Sequence, residues 1–277
     1  MTPPTPPTTP TIITVAGSDP SGGAGIQADL KTFSALGAYG GAVLTALTAQ
    51  NTRGVTGVLP VPGAFVTEQL DALFTDLDVA AVKTGMLGSP DVVEAVADAA
   101  RRHGVRNLVV DPVMVATSGD RLVDDATVEA IRDRLLPLAS VITPNLPETA
   151  ALLGVAAVAP GEAADAAAEL RAKGPAALVK GGHAAGPDAV DVLADDDGVL
   201  ELREPRVATT NTHGTGCTLS SAIAVGLGHG RPLRDAVRTA KTYLTDALRA
   251  ADQLHVGGGH GPVHHFHAWW TPEGTPA

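Results

Sequence analysis

Short apolar runs alternate along this chain with longer amphipathic segments, and that alternation is the feature that most narrows its possible folds. Residues 12–16, 42–47, 79–82, 107–110, 140–142 and 177–179 read as buried strands. Between them, residues 25–36, 65–74, 92–102, 124–136 and 163–172 carry apolar side chains at helical spacing, as Ile26, Leu30 and Phe33 do in the first. Residues 190–193 and 200–202 suggest a late hairpin, and two helices, about 215–227 and 233–251, close the chain. Strands separated by helices of this length imply βαβ units and a mostly parallel sheet. Right-handed crossovers then place helices on both faces.

The 277 residues are within the range of one α/β domain. No internal repeat or interdomain linker interrupts them, so residues 12–277 are expected to form a single domain. Residues 1–11 contain only Met, Thr and Pro, without the basic and apolar regions of a signal peptide. They are expected to be a disordered extension. A formal net charge of −11 makes nucleic acid an unsuitable partner, because an acidic surface repels a phosphodiester backbone. The single cysteine, Cys217, cannot form an intramolecular disulfide, which fits a reducing compartment. No run of about 18 apolar residues is present, so no membrane span is expected. A cytoplasmic protein is the resulting expectation.

In open α/β sheets, ligands bind beyond the carboxyl ends of the strands. The polar and glycine-rich segments fall there: residues 17–25, 83–88, 111–119, 143–148 and 180–183 each follow a predicted strand. The most informative motif is NTHGTGC at 211–217, just ahead of an apolar helical pattern. Gly214 and Gly216 permit close backbone approach, and Thr215 adds a hydroxyl. The unpaired N–H groups of the helix start form an anion site. Fixed donors of this kind stabilise the charge that develops in phosphoryl transfer. Cys217 is expected in the first helical turn, where the helix dipole lowers a thiol pKa. A thiolate there would accept a proton from a substrate hydroxyl. A glycine loop with a cysteine acting as a small hydrophobe fits the same spacing. No GxxxxGK sequence followed by Ser or Thr occurs, so a P-loop does not hold any phosphates.

Asp111 in DPVM and Glu148 in NLPE follow adjacent predicted strands. Carboxylates so placed suit Mg²⁺, although a turn cap and a first-turn glutamate explain them as well. Residues 17–25, GSDPSGGAG, lack the GxGxxG spacing of a dinucleotide site and read as a tight loop over a small polar ligand. Lys180 in KGGH either brings a cation to ATP or is a solvated turn lysine. Gln50 in TALTAQNT offers one donor and one acceptor, which matches an aminopyrimidine edge. His255, His260, His264, His265 and His267, followed by Trp269 and Trp270, are dense enough to suggest a metal but match no firm zinc spacing. Packing against the body is the preferred reading for them.

AGSDPSGGAGIQADLKTFSALGAYG, TALTAQNTRGV, KTGMLGS, DPVM, VITPNLPE, KGGH, NTHGTGCTLS and the closing GPVHHFHAWW together span about residues 12–270. With these segments the sequence resembles the hydroxymethylpyrimidine/phosphomethylpyrimidine kinases of thiamine biosynthesis. The resemblance implies a three-layer αβα ribokinase-like fold with a mostly parallel central sheet, and a homodimer. It implies ATP and Mg²⁺ as cofactors and two successive phosphorylations, of the hydroxymethylpyrimidine and of its monophosphate. It assigns Gln50, Asp29, Met86, Gly17 and Val113 to the pyrimidine, and Lys180, Asn145 and Thr212 to ATP. Asp111 and Glu148 are assigned to the metal, and Gly214, Thr215, Gly216 and Cys217 to catalysis. In the wider superfamily the last of these positions is usually Asp; Cys217 agrees with this family and with some related pyridoxal kinases. A pyridoxal or pyridoxine kinase is the nearest rival reading, and a catalytically silent pyrimidine sensor a more distant one. Gln50 within AQNT and the HHFHAWW tail favour the pyrimidine kinase over the first, and an intact GTGC segment disfavours the second.

Overall fold

The computed structural model describes residues 9–114, 123–182 and 184–270. Eight strands form the main sheet, in the spatial order β10-β9-β8-β7-β6-β5-β1-β2. These are β1 (Thr11–Ala16), β2 (Tyr39–Leu44), β5 (Val79–Thr84), β6 (Leu108–Val110), β7 (Val141–Ile142), β8 (Ala176–Val179), β9 (Asp188–Asp195) and β10 (Gly198–Pro205). Every pairing from β2 to β8 is parallel, and the β9–β10 hairpin continues the sheet antiparallel. A separate antiparallel pair joins β3 (Ala46–Asn51) to β4 (Gly54–Pro60).

Both faces of the sheet are apolar, so the strands are continuous apolar runs rather than alternating ones. Ile13, Val15, Val82, Val110, Ile142 and Val179 face one cluster, shared with α2 (Gly63–Phe74), α3 (Pro90–Arg102), α4 (Asp125–Ala130), α5 (Leu146–Leu153) and α6 (Ala163–Arg171). Their sequence neighbours Ile12, Ala81, Val109, Val141 and Leu178 face the other, with α1 (Gly25–Ala35), α7 (Thr215–Gly228) and α8 (Leu233–Arg249). This is the three-layer αβα arrangement. Each fully buried aliphatic side chain contributes about 1.5–3 kcal/mol, so the two clusters fix how the strand ends are placed.

Four expectations need correction or limits. The strand expected over residues 42–47 is two strands. At Thr45 the chain bends, its N–H bonded to Ala16 O at 3.1 Å and its hydroxyl to Met86 O at 2.6 Å, and β3 leaves the main sheet to pair with β4. The helix expected over residues 124–136 is α4 followed by a π turn at Ile131–Leu135 and a 3₁₀ turn at Leu136–Leu138. Pro137 lacks the N–H that would continue a regular helix. Residues 1–8 of the expected disordered extension lie outside the described residues, but Pro10 is buried, and Thr11 begins β1, paired with Tyr39 and Val79. Residues 115–119 and His183, in two of the strand-end segments, also lie outside the described residues.

Candidate active site

A cavity of about 920 Å³ opens at the carboxyl ends of the parallel strands. The loop after β1 supplies Gly17 and Asp19, the loop after β5 Met86, and the loop after β6 Asp111 and Val113. Asn145 and Glu148 come from the β7–α5 junction and Lys180 from the end of β8. Thr212 to Cys217 enter α7 along one side, and Gln50 reaches in from β3.

The start of α7 is shaped by glycine. Gly214 has φ +80°, and a Cβ there would overlap the carbonyl oxygen of Gly23. Only glycine combines that left-handed backbone with so close an approach. Thr215 N–H makes a long 3.4 Å bond to Thr212 O, and within the described residues no backbone acceptor engages the amides of Gly216 and Cys217. These are the orphan donors of a helix start. Gly216 also makes room, because a Cβ there would stand 3.3 Å from Lys180 Nζ and 3.7 Å from Asp111 Oδ2.

Lys180 lies between two carboxylates, 2.8 Å from Asp111 Oδ1 and 3.9 Å from Glu148 Oε2. Asp111 also accepts from Thr143 Oγ1 at 3.0 Å and Ser220 Oγ at 3.3 Å. Burial opposes its charge, but Lys180 and Lys83 outweigh burial and hold its carboxyl below the usual range. For Glu148, burial wins: against the pull of Lys180 and with Asp111 adding repulsion, its pKa is pushed up to about 7. Burial works against the Lys180 ammonium, yet the two acids raise its pKa overall. Glu148 is also the third residue of α5, where it closes a capping box with Asn145: Glu148 Oε2 accepts from Asn145 N–H at 2.7 Å, and Asn145 Oδ1 from Glu148 N–H at 2.9 Å. Among the described residues no group of three or more His, Cys, Asp or Glu side chains could hold a metal alone. The donor set fits Mg²⁺, which is commonly held by one or two carboxylates and completes its shell with phosphate and water oxygens.

Two of the expected site residues behave differently from their sequence reading. Asp29 does not reach the cavity. It is fully buried, its carboxylate taken by Lys83 at 2.9 Å, Thr14 Oγ1 at 2.6 Å and Ser221 Oγ at 2.7 Å. Cys217 is not acidified. Burial pushes its thiol up to about 11, although Lys83 and an N–H from Gly25 pull the other way. Here desolvation exceeds the dipole effect, which is worth at most about 2 kcal/mol. The other expected residues, Gln50, Met86, Gly17, Val113, Lys180, Asn145, Thr212, Asp111, Glu148 and residues 214–217, all line the one cavity.

Asp19, His213 and Lys83 were not singled out from the sequence. Asp19 accepts five hydrogen bonds: from Ser21 N and Oγ, Gly23 N, Ala24 N and His213 Nε2. Burial raises its pKa, but the bonds from His213, Ser21 and Ala24 bring it down to about 2. An Asp followed by Ser and glycines is the pattern of a side chain that organises its own turn, and that was a usable signal. Nothing in the local sequence marks Lys83 or His213. The expected packing of the tail holds only in part: His264 and His265 are buried, His265 Nε2 lies 3.1 Å from Thr218 Oγ1, and Phe266 stacks on Trp270, whereas His255, His260, Trp269 and Trp270 are exposed. Burial lowers the His265 pKa to about 3.

The mostly parallel sheet with helices on both faces and a cavity at its strand ends is the arrangement of ribokinase-like small-molecule kinases. Residues 19–264 match the family described as phosphomethylpyrimidine kinase, and the chain belongs to that family. A hydroxymethylpyrimidine/phosphomethylpyrimidine kinase of Rhizobium meliloti (strain 1021) is 56% identical over 259 residues, covering 92% of this chain and 97% of that protein. Among solved structures, a phosphomethylpyrimidine kinase from Clostridium difficile 630 is 40% identical with a TM-score of 0.77, covering 87% of this chain and 100% of that one. The ADP complex of Bacillus subtilis pyridoxal kinase is 34% identical with a TM-score of 0.86, covering 93% and 98%.

Proposed function

We infer that this chain transfers the γ-phosphoryl group of ATP to the hydroxymethyl oxygen of 4-amino-5-hydroxymethyl-2-methylpyrimidine, and then a second phosphoryl group to the monophosphate, in thiamine biosynthesis. The observation that carries this reading is the composition of one cavity. Open amides of Gly216 and Cys217, with Lys180, Asp111 and Glu148, form one part of its lining, and Gln50 and Met86 form another. Gln50 holds the aminopyrimidine edge, and Met86 packs beside Gly17 along the ring site. In the first step the hydroxyl oxygen bonds to the γ-phosphorus as the bond to ADP breaks, and the hydroxyl proton passes to Cys217 when its thiol is ionised, or otherwise to an oxygen of the transferred phosphoryl group. The helix-start amides and the Lys180 ammonium stabilise the charge spread over the transferred group. Asp111 and Glu148 are the residues that would hold Mg²⁺, which supplies further charge neutralisation to the phosphates. Cys217 lies where the acceptor hydroxyl arrives.

A homodimer, which rests on the family resemblance, and one kinase domain over residues 12–277 and a cytoplasmic location, which rest on the sequence pattern and composition, belong to the same proposal. The exposed Leu47 and Leu59, paired directly across the β3–β4 ribbon, offer an apolar patch that a second copy would cover. No helix among the described residues is long and apolar enough to cross a membrane. Pyridoxal kinase is the rival reading, supported by shared fold at lower identity than the pyrimidine kinase relative. Mass detection of products after incubation with MgATP tests the assignment. Mono- and diphosphates of the pyrimidine are expected; their absence, or a higher kcat/KM for pyridoxal, would overturn it.

A further inference from the structure

Gln50 is an ambiguous reader of a ring edge when its side chain is free. A half-turn about its last torsion exchanges donor and acceptor, so it accepts an aminopyrimidine or its oxo counterpart alike. Its surroundings here are not neutral. The structure places its amide nitrogen 3.5 Å from His213 Nε2 and its amide oxygen 3.2 Å from Thr48 Oγ1. Donor counting assigns the two amide atoms the other way round. His213 Nε2 lies 2.8 Å from Asp19 Oδ2. An ionised carboxylate only accepts, so Nε2 carries a proton in either charge state of the ring. An N–H of Gln50 facing that proton is repelled, whereas its oxygen is attracted. Thr48 has one hydroxyl proton, and Ser18 O takes it at 2.8 Å. Its lone pairs then accept from a Gln50 N–H. Both neighbours favour the same orientation.

We propose that Asp19 and His213, with Thr48 on the opposite side, lock the Gln50 amide in one orientation and so select a ring that presents an amino donor beside a ring-nitrogen acceptor over a ring with the reverse order. The inference rests on Gln50 as the residue that reads the pyrimidine. The relay is itself rigidly held. Asp19 is 2% exposed with its other hydrogen bonds from the 17–25 loop, and a Cβ on Gly23 would overlap the His213 ring. His213 is thus a positioning residue that acts through Gln50. A locked amide must leave a donor or an acceptor unmatched against the reversed edge, whereas a free one rotates to suit it. Sites built to pair a specific polar edge reject the mismatched analogue far more strongly than apolar pockets reject a change of size.

The test compares kcat/KM for the 4-amino substrate and for the 4-oxo ring otherwise identical to it. In His213→Ala the preference for the amino ring is expected to fall about tenfold, the scale of one lost hydrogen-bond contribution, with the KM for ATP unchanged. Thr48→Val should lower the same ratio, and it carries the test if His213→Ala does not fold. His213→Gln, which restores an N–H donor, should recover part of the preference. An unchanged ratio in a folded His213→Ala or Thr48→Val, or an equal rise in the ATP KM, overturns the proposal. Gln50→Leu separates the proposal from its premise. It should abolish the preference; if the preference survives, Gln50 does not read the ring and the relay falls with it.

Discussion

Cys217 shows how magnitudes decide a role. With a thiol pKa near 11, about one molecule in 10⁴ holds a thiolate at pH 7. General-base catalysis contributes about 10²–10⁴, so the population deficit cancels the gain unless bound ligands lower that pKa. Because Cys217 is the only cysteine, the pH dependence of its alkylation rate reports its thiolate alone. Its midpoint in the ligand-free protein is expected near 11; a midpoint at or below about 8.5, the free-cysteine value, would restore a resting thiolate. The two phosphorylations then divide its roles. The hydroxymethyl group must lose a proton, whereas a phosphate monoester is already anionic near neutral pH, its second pKa being about 6. Where bound ligands lower the thiol pKa enough for Cys217 to take that proton, Cys217→Ser slows formation of the monophosphate, on the order of 10²-fold, more than its conversion to the diphosphate. Equal slowing would place the thiol in the anion site or in packing. Glu148 gives a pH prediction of the opposite kind to an ordinary surface carboxylate. Its pKa rises from 4.5 to about 7 on folding. Between those values the unfolded chain releases a proton that the folded chain keeps, so stability falls as pH rises through the window and levels off above 7. Glu148→Gln keeps the neutral shape, and its thermal stability relative to the parent should grow from pH 4.5 to 7. A difference that stays constant with pH would contradict the buried-acid assignment.

The element with the most consequence for the substrate is the β3–β4 hairpin, since it carries Gln50 while lying outside the main sheet. A two-stranded ribbon is marginal alone, and here a late segment holds its turn. His260 N–H donates to Thr52 O at 2.9 Å, and Gly259 N–H to Thr52 Oγ1 at 3.2 Å. A Cβ on Gly259 would overlap the Thr52 carbonyl oxygen, a backbone atom that cannot swing aside. Gly259→Ala should accordingly loosen the hairpin and raise the KM for the pyrimidine about five- to tenfold, the scale of losing roughly one hydrogen bond at Gln50, with the KM for ATP unaltered. Equal rises in both would mean that the strap does not act on the hairpin. This hairpin was only half legible in the sequence. Its first strand merges with β2 in one apolar run, and the bend at Thr45 depends on acceptors from Ala16 and Met86, distant in the chain. Its second strand, GVTGVLP, has two glycines and a proline and little alternation, so periodicity could not reveal it. The start of α7, in contrast, was readable because the GTG motif specifies a local backbone.

At the scale of the whole molecule, the parallel sheet was legible because each strand is a short apolar run between helices, and the cavity's position followed from where the glycine-rich segments fall. The buried Lys83–Asp29 pair was not legible. Its four participants, Thr14, Asp29, Lys83 and Ser221, come from β1, α1, β5 and α7, and no local pattern announces that a charged pair will be enclosed. The same convergence of distant elements makes ligand binding a probe of the entire fold, and the last prediction follows from it. A ligand that binds only the folded chain stabilises it by about 2.7 kcal/mol at a hundred times its Kd. For a domain near this size about 1 kcal/mol moves the melting midpoint by roughly 2–4 °C, so MgATP at that excess should raise Tm by roughly 5–10 °C. ATP with a chelator should give less, because Asp111 and Glu148 would then lack the cation that joins them to the phosphates. Asp111→Asn separates the metal term from the rest. It removes one partner of Lys180, but Glu148, 3.9 Å from the ammonium, can ionise in its place once the repulsion from Asp111 is gone, so the variant should still fold. The gain in its Tm increment from ATP with chelator to MgATP should be smaller than the parent's, because Glu148 alone would then hold the cation. An Asp111→Asn protein that kept the full magnesium-dependent increment would mean that Asp111 serves Lys180 alone, and that the cation, if bound, is held elsewhere along the cavity.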